Sequence, residues 1–408
     1  MVPRLMNQLS PHTLLQRIPE VQIRIDSSNY VQIITKDRVI ICGPHGLAVL
    51  NIFAQPISMK QALEKLKGLL HGAQDWMNLT STILQLYQAE ILIEEGQISP
   101  SLGTNPYAYD ALGIHIAMLN DRQRTAAYLA AIREVVRPGD VVVDLGTGTG
   151  VLAIAAAQAG ASYVYAIEAS RIGKSAQAVF EANGLADKIT LVQGWSTQIS
   201  LPEKADVLIS EMIGHEPLGE QVLEVTLDAR QRLLKSNAQL IPGRLKIYGL
   251  AVTLPKTELQ KWKVTPGTLS NWRSWYGIDF SFLETVDQVS SAFKIKPHLA
   301  KDWKTLSEPI MLAEIDFQLV NSLAIDTTTT VTANSDGRLD GILIYFELEL
   351  SPTTILSTAP TQANEDCHWR SFVWLVAPSR NLQVGELFTV SYRNKVAGKP
   401  NNVTVEFS

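Results

Sequence analysis

The segment VVVDLGTGTG at residues 141–150 decides the fold of the middle of the chain. Its run of β-branched residues predicts a buried strand, and its three glycines predict a tight turn. The segment VLAIAAAQAG that follows predicts a helix closed by Gly160. A strand, a glycine turn and a helix in this order begin a parallel α/β unit, where glycines let a ligand approach the backbone at the helix N-terminus.

The spacing of the glycine turn favours one ligand class over another. A dinucleotide site has the pattern G-x-G-x-x-G and holds a pyrophosphate, whereas this turn reads G-x-G-x-G with Asp144 two residues before the first glycine. A carboxylate there repels a pyrophosphate but suits a cationic sulfonium ligand with an amino group. Glu168 ends the next strand, where it can accept hydrogen bonds from ribose hydroxyls. The pattern predicts S-adenosylmethionine, with S-adenosylhomocysteine as product, over NAD or a turn without ligand; the predicted contacts are Asp144, Gly146, Gly148, Gly150 and Glu168.

Further strands and helices extend this unit into a doubly wound parallel sheet. A helix is expected over about 112–136, and strands are expected at SYVYAIEA, KITLVQG and ADVLIS. The loop after ADVLIS, Glu211-Met-Ile-Gly-His-Glu-Pro-Leu-Gly-Glu220, follows the fourth strand of this unit and carries three carboxylates in ten residues. Such a group is costly unless it is solvated or matched by a cation, so the alternatives are a solvated acidic loop and a cation site.

From this loop outward, about residues 107–408 resemble the protein arginine methyltransferase family. The family carries two glutamates nine residues apart in this loop, as Glu211 and Glu220 are. The chain also resembles the family's N-terminal helix, its W-x-N-x-Y-G-F-D segment, its L-S-T-x-P segment and its T-H-W segment. The matching stretches are residues 109–125, 275–280, 356–360 and 368–369.

The resemblance implies methyl transfer from S-adenosylmethionine to a guanidinium nitrogen of a peptide or protein. Two carboxylates would grip the planar, five-donor guanidinium by charge-assisted bonds. His115, Met118 and Arg124 would contact the cofactor, while Asp121 and His368 would relay the released proton. The alternative for His368 is a satisfied core histidine. The implied substrate contacts are Tyr109, Met118, Glu211, Glu220 and Trp369.

The chain also departs from the family pattern. The aromatic residues usual in the loop are replaced by a stretch that contains His215 and Glu216, and Cys367 stands where threonine is usual. These departures leave the acceptor open. The alternatives are N-methylation of histidine or of a small molecule, and a non-catalytic binding or regulatory protein of methyltransferase fold.

Three domains are expected: 1–100, 101–240 and 241–408. The last has alternating runs typical of an antiparallel β-barrel, with a Trp-rich dimerisation arm at about 256–299 that indicates a homodimer. The first has β-rich runs and three helices, so it is winged-helix-like. Residues 21–95 resemble peptide-recognition domains of ribosomal-peptide maturation, of the pyrroloquinoline-quinone chaperone type, which bind a leader peptide as an added strand. The alternative is a structural cap.

Composition excludes several other classes. The net charge of −5 and the absence of a basic face in residues 1–100 argue against nucleic acid as a partner. Two distant cysteines make a disulfide framework or a cysteine metal site improbable, and no metal is expected. The start of the chain lacks a signal-peptide run and no stretch suits a membrane span, so we expect a cytoplasmic protein that does not enter membranes.

Overall fold

A computed structural model of the 408-residue chain describes residues 12–18, 21–25, 31–34, 39–42, 45–70, 72–89, 91–94, 109–286, 292–394 and 402–407. The chain divides into two compact units, Met1–Asn105 and Pro106–Ser408. Within the described ranges, no helix combines the length and the apolar character needed to cross a lipid bilayer.

The first unit contains two small antiparallel sheets and three helices. One sheet has the order β5-β1-β6 and the other the order β2-β3-β4. The run YVQIITKDRVIIC therefore contributes two strands, β3 and β4. Ser58 caps the second helix through a reciprocal capping box with Gln61. The elements are β1 (Leu14–Arg17), β2 (Gln22–Ile25), β3 (Val31–Ile34), β4 (Val39–Cys42), α1 (Gly46–Ile52), β5 (Ile57–Ser58), α2 (Met59–Leu66), α3 (Ala73–Gln88) and β6 (Leu92–Glu94).

The second unit begins with two helices where the sequence predicts one. Asp121 leaves the helical conformation and its side chain accepts a hydrogen bond from the backbone N–H of Arg124, so it ends α4 and caps α5. The single predicted helix over 112–136 is wrong at this residue, because a short acidic side chain gains more from capping than from continuing a helix. The two helices are α4 (Leu112–Asn120) and α5 (Arg122–Val135).

A five-stranded parallel sheet of order β11-β10-β7-β8-β9 follows, as predicted for a class I methyltransferase fold. The order reverses between β7 and β10, which is the place where open α/β sheets bind ligands. The elements are β7 (Val141–Leu145), α6 (Val151–Gln158), β8 (Tyr163–Glu168), α7 (Gly173–Ala182), β9 (Ile189–Gln193), β10 (Ala205–Ser210), α8 (Val222–Arg232) and β11 (Leu234–Ile241).

The C-terminal part is antiparallel, as predicted. Its described strands form a seven-stranded sheet and a three-stranded sheet of order β16-β20-β21; closure into a barrel stays a prediction. Among the described residues, two α-helices lie between β12 and β13, in the segment predicted to be a dimerisation arm. The elements are β12 (Arg244–Thr253), α9 (Lys256–Trp262), α10 (Pro266–Tyr276), β13 (Ala292–Ile295), β14 (Lys304–Thr305), β15 (Ile310–Asp316), β16 (Asp326–Thr332), β17 (Gly337–Glu349), β18 (Ile355–Ser357), β19 (Ser371–Leu382), β20 (Leu387–Arg393) and β21 (Asn402–Phe407).

One continuous apolar core joins the parallel sheet to this β domain. It extends from Tyr128 on α5, through Val143 on β7 and Ile247 on β12, to Phe388 on β20. The first unit has a separate core around Leu15, Phe53 and Ile83.

Candidate active site

The glycine turn after β7 has the close approach that the sequence predicts. Gly146, Gly148 and Gly150 all have positive φ, between 55° and 88°. A Cβ on Gly150 would lie 2.3 Å from Cε1 of Phe180, so a side chain there would collide with α7. The backbone can therefore take this course only with glycine at residue 150.

Two carboxylates frame the turn. Asp144 is 1% exposed, and its Oδ2 accepts a 2.6 Å hydrogen bond from the hydroxyl of Thr147. Burial raises the pKa of Asp144 to about 7; the Thr147 hydrogen bond opposes this rise, and the nearby charge of Glu168 adds to it. Glu168 accepts the backbone N–H groups of Gly148 at 2.9 Å and of Ser170 at 2.8 Å, so it ties the turn to the end of β8.

Several buried side-chain polar atoms of this site have no hydrogen-bond partner in the described part of the chain. Among the described residues, six buried side-chain polar atoms lack a hydrogen-bond partner, and three of them are Asp144 Oδ1, Ser170 Oγ and Arg124 Nε. A carboxylate, a hydroxyl and a guanidinium N–H can bind an amino group, a hydroxyl and a carboxylate respectively. S-adenosylmethionine carries all three groups, so the residues present fit it.

The N-terminal helices of this unit cover the turn. His115 is 3% exposed, its Nε2 lies 2.7 Å from the carbonyl oxygen of Tyr109, and its ring would be 3.3 Å from a Cβ on Gly148. Met118 is half-buried one turn further along α4. The structure thus brings His115 to the glycine turn, and contact of His115 and Met118 with the cofactor stays a prediction.

The acidic loop after β10 holds its two predicted glutamates in different surroundings. Glu211 forms a buried ion pair with Arg124; the two side chains are 8% and 6% exposed. Glu220 accepts a 2.5 Å hydrogen bond from the hydroxyl of Tyr109. Burial raises the pKa of Glu220 to about 7; the Tyr109 hydrogen bond opposes this rise, and the charge of Glu211 adds to it. One carboxylate therefore has a cation as partner, and the other has a neutral donor.

Asp121 and His368 also come together, across 247 residues of sequence. Asp121 Oδ2 lies 3.0 Å from His368 Nδ1 and also accepts the backbone N–H of His368 at 3.0 Å. Burial alone would raise the pKa of this carboxyl, but the hydrogen bonds from His368 and from the backbone of Arg124 lower it on balance. Asp121 therefore orients the imidazole as a fixed anion.

Described residues of the β domain donate hydrogen bonds to the acidic loop. The indole N–H of Trp369, a residue that is 2% exposed, donates to the carbonyl oxygen of Ile213 at 2.7 Å. The backbone N–H of Arg370 donates to Nδ1 of His215 at 3.3 Å, and the hydroxyl of Tyr392 donates to Glu216 at 2.7 Å. Trp369 thus binds the backbone of the acidic loop. Its predicted contact with the substrate stays a prediction.

Sequence reasoning missed four residues of this region: Thr147, Ser170, Phe180 and Tyr392. Thr147 had a usable signal, because a hydroxyl three residues after a buried aspartate in a tight turn often binds it. Phe180 and Tyr392 had none, since each reads as an ordinary apolar position of a helix or strand.

Comparisons with known proteins agree with this geometry. Residues 121–241 match the family described as ribosomal protein L11 methyltransferase, and residues 259–408 match the arginine methyltransferase oligomerization subdomain. The chain is 31% identical over 263 residues to a probable protein arginine N-methyltransferase 6.1 of Oryza sativa subsp. indica, covering 63% of this chain and 68% of the relative. It is 30% identical over 297 residues to protein arginine N-methyltransferase 1 of Schizosaccharomyces pombe, covering 68% and 81%. This chain belongs to the protein arginine N-methyltransferase family.

Solved structures of the family show the same fold. The Trypanosoma brucei PRMT1 enzyme-prozyme heterotetrameric complex with AdoHcy aligns with a TM-score of 0.64 at 25% identity, over 74% of this chain and 95% of that one. Protein arginine methyltransferase 10 of Arabidopsis thaliana aligns with a TM-score of 0.58 at 23% identity, over 74% and 99%. The alignments to family relatives are not uniformly long: the chain spans 56% of a probable protein arginine N-methyltransferase 6 of Arabidopsis thaliana.

Proposed function

We propose that this arginine methyltransferase family member transfers a methyl group from S-adenosylmethionine to a guanidinium nitrogen of an arginine in a peptide or protein. The observation that carries the proposal is the pair Glu211 and Glu220, which lie largely shielded from solvent on one loop beside the glycine turn. The loop already binds one guanidinium in the structure, that of Arg124, through Glu211. Its geometry is thus compatible with the cation that the family methylates.

Three residues would hold the cofactor. Asp144 and Arg124 would bind its amino and carboxylate groups, and Glu168 would accept its ribose hydroxyls, since each oxygen of a carboxylate can accept more than one hydrogen bond. When bound, S-adenosylmethionine supplies an electrophilic methyl group. The chain's contribution is alignment of the acceptor and a fixed field around it.

Glu211 and Glu220 act on the acceptor. Charge-assisted hydrogen bonds from two carboxylates hold a guanidinium in one plane and draw its positive charge towards the bound nitrogens. The remaining nitrogen is thereby oriented and made more nucleophilic. His368, oriented by Asp121, receives the proton that the methylated nitrogen releases.

The test measures methylation of arginine-containing peptides by mass spectrometry. We expect Glu211→Gln and Glu220→Gln each to abolish turnover while S-adenosylhomocysteine still binds to both variants in calorimetry. The matched control is Glu308→Gln, at an exposed glutamate of the β domain. Near-normal turnover in both variants would contradict the proposal that Glu211 and Glu220 bind the acceptor guanidinium. Methylation of an acceptor without arginine would redirect the assignment to another amine, such as histidine or a small molecule.

We also propose a homodimer that forms through the arm. Large apolar side chains of α10 and the segment after it are strongly exposed, including Trp275 at 65% and Phe282 at 76%. Clustered exposed aromatics mark interfaces more often than free surface. Sedimentation at micromolar concentration should show a dimer, and Trp275→Ser with Phe282→Ser should shift it to monomer. A wild-type chain that sediments as a monomer would refute the proposal.

The first unit, we propose, is a winged-helix-like domain that recruits the substrate peptide, including the leader of a ribosomally made one. Strands β2 and β4 are the outer strands of its β2-β3-β4 sheet, and Ile41 on β4 is 56% exposed. An outer strand can pair with an extended peptide through backbone hydrogen bonds.

Deletion of residues 1–100 should raise the Michaelis constant for a full-length peptide far more than for a short arginine fragment. Cofactor binding by the truncated protein is the control for folding. An equal effect on both acceptors would mean that the unit is a structural cap.

A further inference from the structure

A hydrogen bond between two side chains joins the acidic loop to the β domain. Tyr392 donates its hydroxyl to Oε1 of Glu216 at 2.7 Å, whereas the bonds to Ile213 and His215 each use a backbone group. Glu216 lies between Glu211 and Glu220 in the loop. Tyr392 therefore binds the middle of the loop whose two ends carry Glu211 and Glu220, the glutamates proposed to bind the acceptor guanidinium.

Tyr392 is a rigid donor. It is 1% exposed and lies on β20, where its neighbours across the sheet are Thr327 on β16 and Val403 on β21. Burial, followed by the charge of Glu216, raises the pKa of Tyr392 well above its ordinary value. The phenol is therefore held in its protonated form, which is the form that donates to Glu216.

Glu216 is packed against the rest of the loop. Its backbone carbonyl oxygen accepts the N–H of Gly219 at 2.8 Å, which closes a tight turn. A Cβ on Gly214 would lie 3.0 Å from this carbonyl oxygen and 2.9 Å from Oε1 of Glu220. The backbone of Glu216 and the carboxylate of Glu220 thus both lie close against Gly214, where there is no space for a side chain. We therefore expect a shift of Glu216 to disturb the Glu220 carboxylate, because both groups lie against Gly214.

We propose that Tyr392 and Glu216 form a positioning pair that sets the place of the Glu220 carboxylate for the acceptor guanidinium. The inference rests on the proposed function, because it gives Glu220 an acceptor to hold. Neither residue of the pair needs to touch the substrate. Their effect passes through the turn at Gly214 and Gly219 to the Glu220 carboxylate.

The kinetic test compares three variants. Tyr392→Phe and Glu216→Ala each remove the bond, and we expect each to lower kcat/KM for an arginine peptide by roughly tenfold or more, since small misplacements of a binding group are costly. Glu216→Gln keeps an acceptor oxygen for the phenol and should stay within about threefold of wild type. The double variant Tyr392→Phe with Glu216→Ala should lose no more than either single one.

The matched control is Tyr165→Phe. Tyr165 also donates its hydroxyl to a glutamate, Glu203, at 3.4 Å, but on the parallel sheet away from the acidic loop. We expect kcat/KM of this variant to equal that of the wild type. The affinity for S-adenosylhomocysteine should be the same in all variants, because the pair acts on the acceptor side.

A readout without turnover separates this inference from the proposed function. Amide hydrogen exchange in residues 211–221 should be faster in Tyr392→Phe and Glu216→Ala than in wild type, and unchanged in Glu216→Gln. If wild-type protein methylates no arginine peptide, the proposed function fails while the exchange result still decides whether the pair holds the loop. Unchanged exchange in Tyr392→Phe, or a loss in Glu216→Gln as large as in Glu216→Ala, would overturn the positioning pair.

Discussion

The two glutamates of the acidic loop should change stability in opposite directions when each is replaced by glutamine. Glu220 is half-buried beside a neutral phenol and near a second carboxylate, so its charged form is disfavoured. Raising a carboxyl pKa from 4.5 to about 7 corresponds to about 3 kcal/mol of lost stability when the group is ionised. Glutamine removes this charge and keeps an acceptor for Tyr109, so Glu220→Gln should stabilise the protein by about 1–3 kcal/mol at alkaline pH.

The stability that Glu220→Gln gains over wild type must increase as the pH rises. Because the folded pKa of Glu220 lies above its ordinary value, the charge begins to destabilise the fold as pH rises above about 4.5 and does so fully above about 7. Thermal unfolding midpoints of wild type and Glu220→Gln should therefore nearly coincide at about pH 5 and diverge by about pH 8.5.

Glu211→Gln is the paired measurement. Glu211 neutralises Arg124, whose side chain is 6% exposed, so its loss leaves a buried cation without its anion. Breaking such a pair costs about 3–5 kcal/mol, and the retained amide oxygen of glutamine keeps the cost near the lower value. A lower midpoint is expected at about pH 8.5, where Glu220→Gln raises it. Shifts of the same sign in both variants would refute the assignment of partners in this loop.

Three further outcomes are expected. Glu168→Ala should weaken S-adenosylhomocysteine binding in calorimetry by about 1–3 kcal/mol, and an unchanged affinity would exclude Glu168 from the cofactor site. Gly150→Ala should abolish this binding, because its Cβ would lie 2.3 Å from Phe180; binding should partly return when Phe180→Leu is added. Asp121→Ala removes the cap of α5 and should cost about 0.5–2 kcal/mol in thermal unfolding; it should also lower turnover, since the imidazole of His368 loses the carboxylate that orients it.

The local parts of the site were predictable from the sequence. A β-branched run, glycines and a helix set the turn at 141–150 through interactions between near neighbours in the chain, and Asp144 came with it. Glu211 and Glu220 were predictable because both lie in a single loop, at the nine-residue spacing of the family's two glutamates. Patterns of this kind carry their own geometry, so they can be interpreted without the rest of the fold.

The long-range parts were not predictable. Arg124 is 87 residues from Glu211, and Tyr392 is 176 residues from Glu216. No periodicity links such residues, because the sheets that bring them together are determined by packing over the whole second unit. The break at Asp121 was missed for a local reason: the aspartate caps α5 through the backbone N–H of Arg124, within a stretch whose apolar pattern is typical of one helix.

The continuous apolar core from Tyr128 to Phe388 limits how this protein can be truncated or recombined during evolution. A chain cut near residue 241 would carry the glycine turn and the acidic loop but would expose the apolar side of its sheet to water, so it should aggregate instead of working as a minimal enzyme. Exchange of the β domain between relatives demands matched changes on both sides of that core. The first unit has a core of its own, so a lineage can acquire, replace or lose it in one genetic step while the catalytic body stays folded.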